Sequence, residues 1–160
     1  MRPALRCLVW ELDNTLWDGV VCDATSTAPR PAALRTLRVL NERGIWHAAA
    51  SRSDRGLTLE RLYRHGVYEM FSALEIGWGR KSASIVRIAR TLGLSLDTIA
   101  YIDDEPVERA EVSRALPQVR CYAARNVDVL TALPDFRPVR RSGPHPTPPL
   151  GFDRIPAVEF

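Results

Sequence analysis

The sequence predicts a three-layer α/β/α sandwich on a mainly parallel five-stranded sheet, and three observations predict it. Short apolar runs alternate with segments whose apolar residues recur at helical spacing, the pattern of a sheet covered by helices on both faces. The 160 residues fit one domain, because a single core closes within roughly 100–200 residues. The composition, 46% hydrophobic and 26% charged, lets such a chain bury its own core without a disulfide or a structural metal.

The first strand is expected at 5–12, an apolar run ending in Glu11 and Leu12, with Asp13 just beyond. A loop from Asp18 to Pro29 leads to a helix opened by Pro31, whose fixed φ suits a first helical position. Leu34, Leu37 and Leu40 form its stripe and Gly44 its stop. Residues 45–50 read as the second strand. Asp54 is placed to cap a helix that carries Leu59, Leu62 and Tyr63 and ends at Gly66. A third strand within 68–76 is broken by Gly77, Trp78 and Gly79. From Lys81 or Ser82 a helix presents Ile85, Ile88, Ala89 and Leu92, and stops at Gly93. The fourth strand, 99–102, runs straight into Asp103 and Asp104. Pro106 opens the next helix, 119–122 gives the fifth strand, and a short helix begins near Asn126. After Pro134 the prolines 138, 144, 146, 148, 149 and 156 exclude regular helix or central strand. The domain is therefore assigned to 1–134, and 135–160 to an extended proline-rich tail, either mobile or laid along the domain.

The net charge of +3 comes mainly from arginines dispersed over helical segments, which argues for solvated faces and against nucleic-acid binding. Arg35, Arg38, Arg43, Arg61 and Arg64 are expected to form such a wet surface. No apolar run reaches membrane-spanning length. Cys7, Cys22 and Cys121 lie far apart without a paired motif, so the expected setting is a reducing cytoplasm. His47 is expected in the core and His65 at a helix end. Trp17 and Trp78 fit either partial core or the mouth of a site.

Chemistry-bearing residues fall where strands end. Glu11 and Asp13 close the first strand, Ser51 and Arg52 the second, Asp103 and Asp104 the fourth, and Lys81 opens the helix after the third. In an open parallel sheet, ligands bind beyond the carboxyl ends of the strands, near the point where strand order reverses. Carboxylates gathered there call for a hard cation, and Mg²⁺ suits them because it takes one or two carboxylates with waters and a phosphate oxygen. Of 22 lysines and arginines only Lys81 is a lysine, a compact, rotatable charge that a planar guanidinium does not replace.

The runs Glu11-Leu12-Asp13-Asn14-Thr15-Leu16-Trp17, Ala49-Ala50-Ser51-Arg52, Lys81-Ser82 and Ile102-Asp103-Asp104-Glu105-Pro106 resemble, in order and spacing, the four motifs of the haloacid dehalogenase superfamily. The match is closest to its small-cap branch of FkbH-like proteins and magnesium-dependent phosphatases. The resemblance implies a Rossmannoid fold with a minimal cap and an enzyme of the phosphatase or phosphotransferase type. It implies Mg²⁺ held by Glu11, Asp13, Asp103 and Asp104, and phosphate held by Thr15, Ser51, Arg52 and Lys81. The catalytic residues it implies are Glu11, Asp13 and Lys81. An FkbH-like role implies polyketide or related biosynthesis, with a phosphorylated three-carbon substrate and an acyl carrier protein as partner. Family members carry an aspartate nucleophile where this chain has Glu11. Three readings follow: Glu11 attacks phosphorus; Glu11 only binds the ion while Asp13 works as acid and base; or the domain is a binding or scaffold partner without turnover.

Overall fold

Strand β1 (Cys7–Trp10) is buried at every position, as expected of a central parallel strand covered on both faces. β2 (Trp46–Ser51) and β4 (Ile99–Asp103) flank it, β3 (Phe71–Ile76) lies outside β2, and β5 (Arg120–Ala123) outside β4, giving the order β3-β2-β1-β4-β5 with every pair parallel. The computed structural model describes residues 1–22 and 28–140.

Alternation along the strands sorts the core into two layers. Leu8, Trp10, Ala49, Ala100 and Ile102 pack with Leu37 and Leu40 of helix α1 (Pro31–Glu42) and Leu59 and Leu62 of α2 (Arg55–Arg64). Cys7, Val9, Ala48, Ala50, Ile99 and Tyr101 pack with Ile85, Ile88 and Ala89 of α3 (Lys81–Leu92) and Val112 of α4 (Pro106–Ala115). The described segments between strands hold no second folding unit, so the expected three-layer architecture is the observed one.

Local signals place the helix ends. Asp54 accepts a hydrogen bond from the Leu57 amide at 2.9 Å and starts α2. Pro31 and Pro106 sit in the first turns of α1 and α4. Gly93 closes α3 at φ 65°, a left-handed conformation that costs glycine nothing. His47 is buried mid-strand: its Nδ1 accepts from the Trp10 indole N–H at 2.9 Å, so Nε2 carries the proton to the Leu37 carbonyl at 3.0 Å.

Several expectations need correction. β1 is shorter than 5–12: past Trp10 the chain turns, with the Leu12 carbonyl accepting from the amides of Thr15 and Leu16. The last helix is a 3-10 segment, Ala124–Ala132. The basic helical face is not uniformly wet. Arg35, Arg38 and Arg64 are exposed, but Arg61 is only 6% exposed, and Arg43 Nη1 donates to the carbonyls of Thr131 and Phe136. The stretch after Pro134 is laid along the domain as far as residue 140, one of the two dispositions expected of it: Pro134–Phe136 form a 3-10 turn, Phe136 is fully buried, and the Val139 amide donates to the Arg43 carbonyl at 2.9 Å. Residues 23–27 of the expected loop and 141–160 of the expected tail lie outside the described residues. Among the described residues no helix is long and apolar enough to cross a membrane.

Candidate active site

From β1 the chain steps outward to β2 and β3, then returns to β4 on the other side of β1, so strand order reverses between β1 and β4. A crevice is expected there. A cleft of about 190 Å³ opens at that point, lined by Glu11, Asp13, Asp103, Asp104, Glu105 and Glu108 with Arg52, Lys81, Asn14 and Val20. Its volume is below the roughly 300–1,000 Å³ of an enclosed small-molecule site. That space is of the size of a phosphate group.

Strand parity explains which side chains meet. Positions 7, 9 and 11 of the first segment and 99, 101 and 103 of β4 face the α3 layer, where Lys81 begins its helix. Lys81 Nζ donates to Glu11 Oε2, to Asp103 Oδ2 at 3.0 Å and to the Tyr101 hydroxyl at 3.2 Å, and Tyr101 donates to Asp103 Oδ2. Lys81 is 2% exposed and Asp103 1%. Burial alone would lower the Lys81 ammonium, but the facing Glu11 and Asp103 carboxylates outweigh it and hold the group above the usual lysine value. Burial pushes the Glu11 carboxyl up, against the pull of Lys81 and Ser51. Tyr101 is held protonated by burial and by the Asp103 charge. The sequence reading missed Tyr101, although its place two residues before Asp103 on one pleated face was the available signal.

Glu11 Oε1 is surrounded by donors: Ser51 Oγ at 2.6 Å, the Leu12 amide at 2.7 Å and the Asp13 amide at 3.3 Å. Ser51 thus contacts the acid at position 11, and Thr15 likewise binds Asp104, with its Oγ1 3.2 Å from Oδ1. Burial, with Asp103 adding to it, raises the Asp104 carboxyl. Asp13 turns to the other side of the cleft, where Oδ1 accepts from Trp17 Nε1 at 2.9 Å and from the Val21 amide at 3.0 Å. The turn behind it depends on Asn14, which adopts φ 55°, a left-handed conformation that asparagine tolerates better than most residues. Its amide donates to the Gly19 carbonyl, and its Oδ1 accepts from the Gly19 amide, both at 3.0 Å. Arg52 lies across the rim, donating to the Gly79 carbonyl and pairing with Glu108 at 3.1 Å. Trp17 is fully buried and Trp78 is 77% exposed. Among the described residues no three His, Cys, Asp or Glu side chains form a ready cage for a cation.

No family model matches the chain, and no curated protein matches it. Solved structures do. The N-terminal part, containing a phosphatase domain, of a Bacteroides fragilis protein, solved with Mg, superposes with a TM-score of 0.72 at 26% identity over 86% of this chain. A hydrolase of the haloacid dehalogenase superfamily from Ehrlichia chaffeensis gives 0.63 at 10% identity over 77% of this chain and 88% of that one. This chain has a haloacid dehalogenase-like fold. The 3-deoxy-D-manno-octulosonate 8-phosphate phosphatase of Moraxella catarrhalis, solved with magnesium, phosphate and sugar, shares the fold at a TM-score of 0.54 and 22% identity over 69% of this chain. The chain spans 41% of the Bacteroides chain and 63% of the Moraxella one.

Proposed function

We propose that the domain is a magnesium-dependent phosphatase or phosphotransferase in which Glu11 takes the phosphoryl group and Asp13 is the acid and base. The observation that carries this reading is that Glu11, Asp13, Lys81, Asp103 and Asp104 line one cleft at the strand-order reversal. The Mg-bound phosphatase domain that resembles 86% of the chain supports it. Magnesium takes one or two protein carboxylates and fills its shell with water and phosphate oxygens, so Asp103 with Glu11, and Asp104 beside them, make a sufficient donor set. When bound, the ion supplies charge neutralisation to the phosphate oxygens.

The residues perform the rest. A Glu11 oxygen attacks phosphorus, the bond to the leaving oxygen breaks, and Asp13 gives that oxygen its proton. A water then passes a proton to Asp13 and attacks the phosphorus of the Glu11 acyl phosphate; the bond to Glu11 breaks and phosphate leaves. Lys81 holds Glu11 and balances the phosphate charge. The extra methylene of glutamate is taken up by donors set at its length, Ser51 Oγ at 2.6 Å and the Leu12 amide at 2.7 Å.

The Leu12–Trp17 run and the run Asp103-Asp104-Glu105-Pro106-Val107-Glu108-Arg109 favour an FkbH-like role within this reading: transfer of a phosphorylated three-carbon unit in polyketide or related biosynthesis, with an acyl carrier protein as acceptor. A second reading, a catalytically impaired scaffold that binds such a partner, draws on the full occupation of the Glu11 carboxylate by Lys81, Ser51 and two backbone amides.

Phosphate release from an aryl phosphate tests the first reading. The expected result is Mg²⁺-dependent turnover that a chelator abolishes and that Glu11→Gln lowers by at least ~100-fold. If the wild type and Glu11→Asp are both inert while a carrier protein still binds, the scaffold reading replaces it. For carrier loading, the carrier's intact mass should rise after incubation with the phosphorylated donor; an unchanged mass counts against that role.

A further inference from the structure

Arg61 is a buried guanidinium with no use in the chemistry above. It is 6% exposed, no carboxylate pairs with it among the described residues, and its Nη1 has no hydrogen-bond partner. Burying an arginine this way is costly, and a buried polar group left unpaired calls for a reason. Two contacts locate that reason. The guanidinium carbon lies over the Trp17 ring, 5.1 Å from its centroid, and Nη2 donates to the Val21 carbonyl at 3.3 Å.

Trp17 and Val21 supply the two N–H groups that hold Asp13. Trp17 Nε1 and the Val21 amide converge on Asp13 Oδ1 at 2.9 and 3.0 Å. One cation on α2 therefore grips both arms of the clamp: it stacks on the indole face and ties down the peptide at Val21. Stacking also draws electron density from the indole toward the cation, which makes its N–H a stronger donor to the carboxylate beyond.

We propose that Arg61 is a positioning residue for Asp13, fixing through Trp17 and Val21 the orientation of the carboxylate that gives and takes the proton. This rests on the proposed acid and base role of Asp13. It reaches past that role, because Arg61 touches neither the cleft nor the reacting atoms.

The test compares kcat/KM for two phosphate esters, since that constant reports the step in which the leaving oxygen departs. The propoxide of propyl phosphate leaves only with a proton, whereas the dinitrophenolate of dinitrophenyl phosphate leaves without one. Arg61→Met is expected to lose ~10- to 100-fold on propyl phosphate and to stay within about threefold on dinitrophenyl phosphate, matching the pattern of Asp13→Asn. A purely structural role lowers both equally, and that result overturns the proposal. Should Arg61→Met fail to fold, Trp17→Phe keeps the ring under Arg61 and removes the N–H, and must show the same selective loss. The indole N–H proton resonance of Trp17, assigned by its disappearance in Trp17→Phe, gives a readout independent of turnover. It should move in both Asp13→Asn and Arg61→Met; a resonance unmoved in Arg61→Met refutes the bracing. If the wild type hydrolyses neither ester, the acid and base reading of Asp13 fails, and the indole resonance alone decides whether Arg61 positions the carboxylate.

Discussion

Replacing Lys81 by methionine keeps the length and most of the packing of the side chain and removes its charge. In the native site that charge sits between Glu11 and Asp103, with side-chain exposures of 2% for Lys81, 10% for Glu11 and 1% for Asp103. Removing one partner of a buried pair strands the other charge and costs about 3–5 kcal/mol. Here two carboxylates are stranded, but Glu11 can take up a proton, so the lower end, about 3 kcal/mol, is expected near neutral pH. For a domain of this size that lowers Tm by about 10 °C.

The pH dependence follows from Glu11. Burial already holds its carboxyl above the ordinary 4.5, and Lys81 opposes that shift; without Lys81 it rises further. A carboxyl whose folded pKa exceeds the unfolded one loses stability as pH climbs from the unfolded value through the folded one. The gap between wild type and Lys81→Met therefore widens from about pH 4.5 toward neutrality. At the alkaline end the wild type keeps the contribution of Lys81 up to 10.5 and loses it as pH rises through the higher folded value; the variant has no such limb. Thermal melts followed by circular dichroism across this range measure both. A gap under about 1 kcal/mol at neutral pH, or one equally large at about pH 4, would refute the reasoning.

Two other substitutions probe the frame around the site. Phe136→Ala should cost about 3–5 kcal/mol in urea unfolding, because the ring is fully buried and tilted against Tyr122 at 5.4 Å; an unchanged midpoint would show that the ring adds nothing to the core. His47→Leu strands the Trp10 indole N–H and the Leu37 carbonyl, and should cost about 1–3 kcal/mol for each group left without a partner. A neutral result would show that these groups find other partners.

Much of this arrangement was legible in the chain. Apolar runs ending in Glu11, Ser51 and Asp103 marked the three strands that carry the site, because a parallel strand buried on both faces must be apolar until it reaches the sheet edge. Asp54, Pro31, Pro106 and Gly93 announced helix ends through local backbone chemistry, which acts within a few residues and is read without knowing the fold. The lone lysine stood out by composition, and the structure places it between the two carboxylates.

Other features depended on contacts between distant residues. Arg61 reads like its neighbours Arg38 and Arg64 in sequence, yet only it turns inward, because its part of α2 packs against the Trp17 turn 44 positions earlier in the chain. That the hydroxyls of Ser51 and Thr15, expected to meet phosphate, also bond Glu11 and Asp104 was not legible in the chain. The burial of Phe136, in a stretch read only as extended, depends on distant partners such as the Leu5 amide, which donates to the Asp135 carbonyl. The sequence by itself determined the layers, the strand ends and the set of acids and bases gathered there, since periodicity and termination are local properties. Only the tertiary structure decided which acid faces which base, because hydrogen-bond partners are chosen across strands and helices whose separation in the chain says nothing about their distance in space.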